Sequence, residues 1–286
     1  LLAEYACSPS ALFLITRLLA ALFGVATVYV VYKTAESWLG RRAGIVAALF
    51  MACCYLHVRD SHFGTLDVPM TFFIAASVFF IAKWRAFPTN LNYVSAGVLA
   101  VLATGTKYAG ILLAAHGFAA HLALCGGWKD VPRLLRDRRL WLFQLALLAG
   151  FFVSTPHAFL DFRQLAADFS YHKNLHGVMR GSNLWHHISF SLNYGLGLPL
   201  MLAGFAGMLW CAVKRWREFT AVFPFALIYF AAADKVSSGY VRYAIPLLPF
   251  CCLAAAFAYE ELADRIIWKP RLSRAALLVL LCALPL

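Results

Sequence analysis

Apolar runs of about twenty residues recur from one end of this chain to the other, separated by short polar turns. A soluble domain cannot hide so much continuous hydrocarbon. A bilayer can, provided each run is helical, because only a helix or a closed barrel satisfies its backbone without water. Charge is correspondingly scarce. Charged residues make up 13% of the 286, against about a quarter in a soluble domain. The expected fold is all-α, a polytopic transmembrane helical bundle forming one domain over 1–286. Length then counts spans, not globular units.

About ten crossings can be drawn, at 11–32, 43–57, 69–84, 92–104, 108–125, 140–156, 188–213, 219–233 and 244–262, with a tenth, incomplete, after Arg274. Lysines and arginines sort by side. Seventeen of the 25 lie in the turns at 33–42, 83–90, 126–139, 214–218 and 264–274. Seven lie in the alternate turns, and Arg17 sits inside the first run. The basic side is expected to face the cytoplasm. The longest polar segment, 157–187, then lies on the outer face. Phe159, Phe162, Leu165, Ala166 and Phe169 recur there near helical period, so an interfacial helix is expected.

Other classes recede on the same evidence. A net charge of +12 invites nucleic acid, but the charge is dealt out loop by loop, so no nucleic-acid partner is expected. Six cysteines, Cys53, Cys54, Cys211, Cys251, Cys252 and Cys282, fall in apolar runs, and there is no CxxC, so no disulfide framework is expected. The chain opens at LLAEYACSPS without Met or signal peptide and closes inside LLVLLCALPL. It is expected to be a stretch of a longer protein.

The polar residues that remain stand out against this background. Residues 57–69, HVRDSHFGTLDVP, place Asp60 and Asp67 beside His57, Arg59 and His62. Ionisable groups at a membrane surface are costly to keep and mark function. Asp67, just before Val68 and Pro69, has the position of a helix N-cap. The same carboxylate could orient an acceptor hydroxyl or hold a metal. His57 and His62 raise a divalent-metal site, against the alternative of two solvated histidines. His172 and His176 are an i, i+4 pair open to the same two readings. Lys107, after AVLATGT, is either a lysine snorkelling to the interface or a cation for a phosphate. In GYVRYAIPLLPF, Arg242 and Tyr243 stand at the mouth of a span whose first turns Pro246 and Pro249 bend or delimit. They can anchor the interface or grip a phosphate through guanidinium and phenol.

The order of these motifs, an Arg in the first run, RDSHFGTLDVPMTFF, ATGTKYAG, STPHAFLDF and YVRYAIPLLPF, resembles the glycosyltransferase 39 family of the GT-C class, the protein O-mannosyltransferases and aminoarabinose lipid A transferases. The resemblance covers nearly the whole chain. It implies an inverting membrane glycosyltransferase that passes a sugar from a polyprenyl-phosphate donor to a lipid or protein acceptor on the outer face. It also implies a principal catalytic Asp in a loop before Leu1. Asp67 matches the family's second acidic position, with Asp60 behind it. Lys107, Arg242, Tyr243 and Arg17 match positions facing the donor phosphate. A bacterial inner membrane with a periplasmic site is the expected location. A secondary transporter would instead concentrate ionisable groups near the bilayer midplane, and a non-catalytic scaffold would not need acids and cations on one face.

Overall fold

The computed structural model describes residues 10–125, 128–175, 183–236, 239–265, 278–279 and 281–282, and they are helical with no strand among them. Helix α1 (Ser10–Leu39) leads into α2 (Arg41–Cys53) and the short α3 (Tyr55–Ser61). Next come α4 (Asp67–Ala82) and α5 (Asn90–Thr106), then a 3-10 turn, Tyr108–Leu112, that opens α6 (Leu113–Leu122). The short α7 (Val131–Leu135) precedes α8 (Arg138–Ser154). The polar segment holds α9 (His157–Leu160) and α10 (Phe162–Leu175). A helical stretch follows, with α11 (Asn183–His186), a π-helical turn over His187–Leu192 and α12 (Asn193–Leu196). Then come α13 (Leu198–Lys214), α14 (Trp216–Val222) and α15 (Pro224–Val236). A 3-10 turn, Val241–Leu247, runs into α16 (Leu248–Arg265).

Local chemistry sets these boundaries. Thr89 caps α5 by accepting from the Asn92 amide at 3.3 Å, and Asp137 caps α8 by accepting from Arg139 at 2.9 Å. Pro246 sits inside the last 3-10 turn, and the regular helix starts only at Leu248. The expected crossing at 188–213 is different. Gly197 adopts φ 77°, a conformation that costs other residues dearly, and the chain bends by 114° between Leu184–Leu196 and Leu198–Lys214. Pro199 then sits in the first turn of α13, where its missing amide costs nothing. A second bend of 63° separates α2 from α3.

Two stretches among the described residues, Ser10–Leu39 and Val241–Ala263, are long and apolar enough to cross a membrane, or four if each bent pair is one span. Most of the ten expected segments are present as shorter helices. Those of 16 and 17 residues rise roughly 24–26 Å, close to the thickness of a hydrocarbon core.

Sequential helices pack as pairs, α1 on α2 and α4 on α5, and these pairs are joined by longer-range contacts of α1 with α4, α5 with α8, α2 with α16 and α13 with α16. A Cβ at Gly207 would overlap the Ala254 carbonyl, so that residue is what lets α13 and α16 approach backbone to backbone. The core is aromatic and aliphatic, with Phe50, Ile74, Trp84, Tyr93, Phe143, Phe223, Phe250 and Phe257 all essentially inaccessible.

The turns that charge separates in sequence occupy opposite ends. At the basic end Arg42 meets Glu260, Arg85 meets Glu218 at 2.5 Å, and Arg139 donates to the Pro88 carbonyl at 2.6 Å. These contacts draw together the starts of α2 and α8, the end of α4, α14 and the end of α16. Asp67, Lys107 and Arg242 lie at the other end.

Candidate active site

Helix α4 begins at Asp67, which is 4% exposed. The N-cap position is Leu66 and carries no side-chain capping bond, so the capping role expected of Asp67 is not the one it plays. Its carboxylate instead accepts from Lys107 Nζ at 2.7 Å. Lys107 is delivered by the end of α5, where the backbone turns extended (φ −159°, ψ 133°) and points the chain back across the mouth of α4.

The 3-10 turn at 241–247 closes over this pair. Lys107 Nζ stands 4.5 Å from the centre of the Tyr243 ring. The Arg242 guanidinium lies 5.0 Å from the Tyr240 ring centre and 5.9 Å from that of Tyr243. Stacking occupies the faces of a guanidinium and leaves its in-plane N–H donors open. Arg242 is exposed and forms no ion pair among the described residues. Tyr229, buried in α15, donates to the Tyr243 carbonyl at 3.0 Å, and a nitrogen of the His186 ring lies 2.9 Å from the Gly239 carbonyl. Both contacts hold the turn in place. Sequence reasoning passed over Tyr229, whose one signal is a hydroxyl inside an otherwise apolar run.

Asp60, also 4% exposed, is held by its neighbour Arg59, with Nε at 2.9 Å and Nη2 at 2.6 Å. Arg59 in turn lies 5.5 Å from the Tyr194 ring centre, and the Tyr194 hydroxyl donates to Tyr55 at 3.2 Å. Asp60 is within electrostatic reach of both Asp67 and Arg242. The structure therefore brings Asp60, Asp67, Lys107, Arg242 and Tyr243 to one mouth of the bundle. Each carboxylate already faces a cation, while Lys107 keeps two further donors and Arg242 its open edge.

The remaining candidates fall differently. Arg17 is exposed on α1. A Cβ on Gly64 would overlap Thr16, so this part of α1 lies against the turn before α4. No described contact joins Arg17 to Lys107 or Arg242. His57 is 2% exposed and its Nε2 lies 3.1 Å from the Gly24 carbonyl, turned into the α1 contact. His62 Nδ1 lies 2.7 Å from the Val58 carbonyl of its own helix. Among the described residues no three of His, Cys, Asp and Glu are placed to hold a metal ion, and His57 and His62 do not fit a shared one. Of the other pair, His176 lies outside the described residues, as does the side chain of His172.

The fold has counterparts among known structures. ArnT from Cupriavidus metallidurans bound to undecaprenyl phosphate superposes with a TM-score of 0.63 at 19% identity, covering 87% of this chain and 47% of that one. Its apo form gives 0.61 at 19% identity, with 87% and 46% covered. The Archaeoglobus fulgidus oligosaccharyltransferase tethered to an acceptor peptide gives 0.63 at 15% identity, with 93% and 42% covered. The chain thus spans about half the length of these proteins or less. No curated protein sequence matches it. The fold is that of the GT-C class of membrane glycosyltransferases, all-helical and multi-pass. Within that class, the chain belongs to the dolichyl-phosphate-mannose-protein mannosyltransferase family, whose model matches residues 12–158.

Proposed function

We propose that this chain is part of an integral membrane glycosyltransferase that moves a sugar from a polyprenyl-phosphate donor to a lipid or protein acceptor. The observation that carries the reading is the Asp67–Lys107 pair lying against the Arg242–Tyr243 turn at one mouth of the bundle. A phosphate leaving group gathers negative charge as the bond to the anomeric carbon breaks. It needs fixed positive donors, in a site drier than water. Lys107 and Arg242 supply them, with the Tyr243 hydroxyl as a third donor and Arg17 as a further cation near the entrance. Related folds are seen with undecaprenyl phosphate, and, for the archaeal oligosaccharyltransferase AglB, with dolichol-phosphate and an inhibitory peptide.

The acceptor oxygen attacks the anomeric carbon from the face opposite the departing phosphate, so configuration inverts, and the acceptor gives its proton to a carboxylate. Asp67 is engaged by Lys107 and Asp60 by Arg59. Their roles are to fix those cations, Asp67 directly at the phosphate and Asp60 behind it. The site faces away from the cytoplasm, on the periplasmic side if the membrane is a bacterial inner one, since Arg42, Arg85, Arg139 and Arg215 of the more basic turns gather at the opposite end.

The test is transfer by the purified full-length protein, supplied in turn with polyprenyl-phosphate mannose and polyprenyl-phosphate aminoarabinose. Release of polyprenyl phosphate that depends on Lys107 supports the proposal. No release from either donor, and no binding of polyprenyl phosphate itself, would remove it.

A further inference from the structure

The basic end holds a cavity that sugar transfer does not use. It has a volume of about 300 Å³ and is walled by Trp84, Arg85, Leu134, Asp137, Arg139 and Arg217, among others. Three guanidiniums face one carboxylate there, so the lining is net positive. Arg139 is spent, donating to both Asp137 oxygens and to the Pro88 carbonyl. Arg85 gives one nitrogen to Glu218 and keeps its other donors. Arg217 is exposed and forms no ion pair among the described residues.

The floor is unusual for an apolar bundle. Trp84, 1% exposed, stacks on Tyr93 with ring centres 3.9 Å apart, and Tyr93 is hydrogen-bonded to His121 at 2.8 Å. The Trp84 indole N–H has no hydrogen-bond partner. A dry, unpaired N–H is costly to keep, and here it is sealed beneath the cavity rather than open to it. A second cavity of about 320 Å³ lies on the other side of Arg85, beside Trp38, whose indole N–H is likewise unpartnered.

We infer that the cavity between Arg85, Arg217 and Trp84 binds the phosphodiester of an anionic membrane lipid. Charge selects the partner, because two arginines with open donors suit a phosphate. Depth selects the source. The cavity lies where the apolar helix α4 ends and α5 begins, beside the basic turns, the level of lipid headgroups, and Leu134, Ala123 and Leu124 give it an apolar wall. A soluble anion would have no use for that wall. The inference does not rest on the proposed glycosyl transfer, since the two sites are at opposite ends of the molecule.

The experiment uses the full-length protein in nanodiscs doped with phosphatidylglycerol or phosphatidylcholine carrying brominated chains, and reads tryptophan fluorescence. The brominated anionic lipid should quench at about tenfold lower mole fraction than the zwitterionic one. Trp84→Phe should abolish the selective component. Arg217→Gln, which breaks no ion pair, should raise the half-quenching fraction about fivefold, and Arg85→Gln should add to it. Equal quenching by both lipids would overturn the inference. So would selective quenching untouched by Trp84→Phe and Arg217→Gln. Full reversal by inorganic phosphate would overturn the lipid as the source.

Discussion

Lys107 stands where a helix gives way to extended backbone, and that break aims its ammonium at Asp67. The pair is lopsided: the Asp67 side chain is 6% exposed and that of Lys107 33%. Removing one member strands the other, and the acid, being deeper, loses more. Asp67→Asn should therefore leave the fold intact but cut transfer at least about tenfold, roughly 1.4 kcal/mol of transition-state stabilisation, because the cation is no longer held. Turnover near that of the wild type would reduce Asp67 to a residue of the first helical turn. In a double-mutant cycle on thermal stability, Asp67→Asn with Lys107→Met should cost less than the two single changes summed, by about 0.5–3 kcal/mol. Strict additivity would mean that the ion pair is not formed in the membrane. Tyr229→Phe tests the support beneath. It removes the hydroxyl bound to the Tyr243 carbonyl and should weaken donor binding without altering expression.

Helices in this molecule are set by punctuation more than by propensity. Gly197 with φ 77° and Pro199 just after it split what hydropathy reads as one run at 188–213 into two arms bent by 114°. Hydropathy averages over a window and is blind to one backbone angle, so the sequence shows an apolar stretch and hides the corner. The π-helical turn at His187–Leu192 is hidden for the same reason. Where apolar periodicity and caps agree the boundaries are legible, as at α5, expected at 92–104 and found at Asn90–Thr106. The contact of α13 with α16 is not legible, since a glycine in an apolar run carries no sign of its partner. Gly207→Val should force these helices apart and lower the melting temperature, with a cost of roughly 1–3 kcal/mol. An unchanged melting curve would show that the helices are not packed at Gly207.

At the scale of the whole molecule, charge sorting in the sequence is what the structure turns into two ends. Asp60, Asp67, Lys107, Arg242 and Tyr243 stand out in the sequence because each is a polar exception at the margin of an apolar run, and the fold gathers them at one mouth. Their pairing was not legible, because Asp67 meets a lysine 40 positions away through a break in α5. His57 and His62 looked alike in sequence and differ in the fold, one sealed against Gly24 and the other exposed. Sidedness is open to direct measurement. Cysteines placed at Leu66 and Arg136 should react with impermeant reagent from opposite sides, Leu66 from outside. Labelling of both from one side would undo the two-ended arrangement. In the proposed site Lys107, Arg242 and Tyr243 grip one phosphate, and the affinity of the purified full-length protein for polyprenyl phosphate reads that grip. Lys107→Met and Arg242→Lys should each weaken binding about tenfold or more, the second because a lysine cannot replace a two-pronged guanidinium. Their combination should fall short of the product of the two, as residues sharing one ligand do. Unchanged affinity in both single variants would contradict the account and leave Arg242 and Lys107 as membrane anchors.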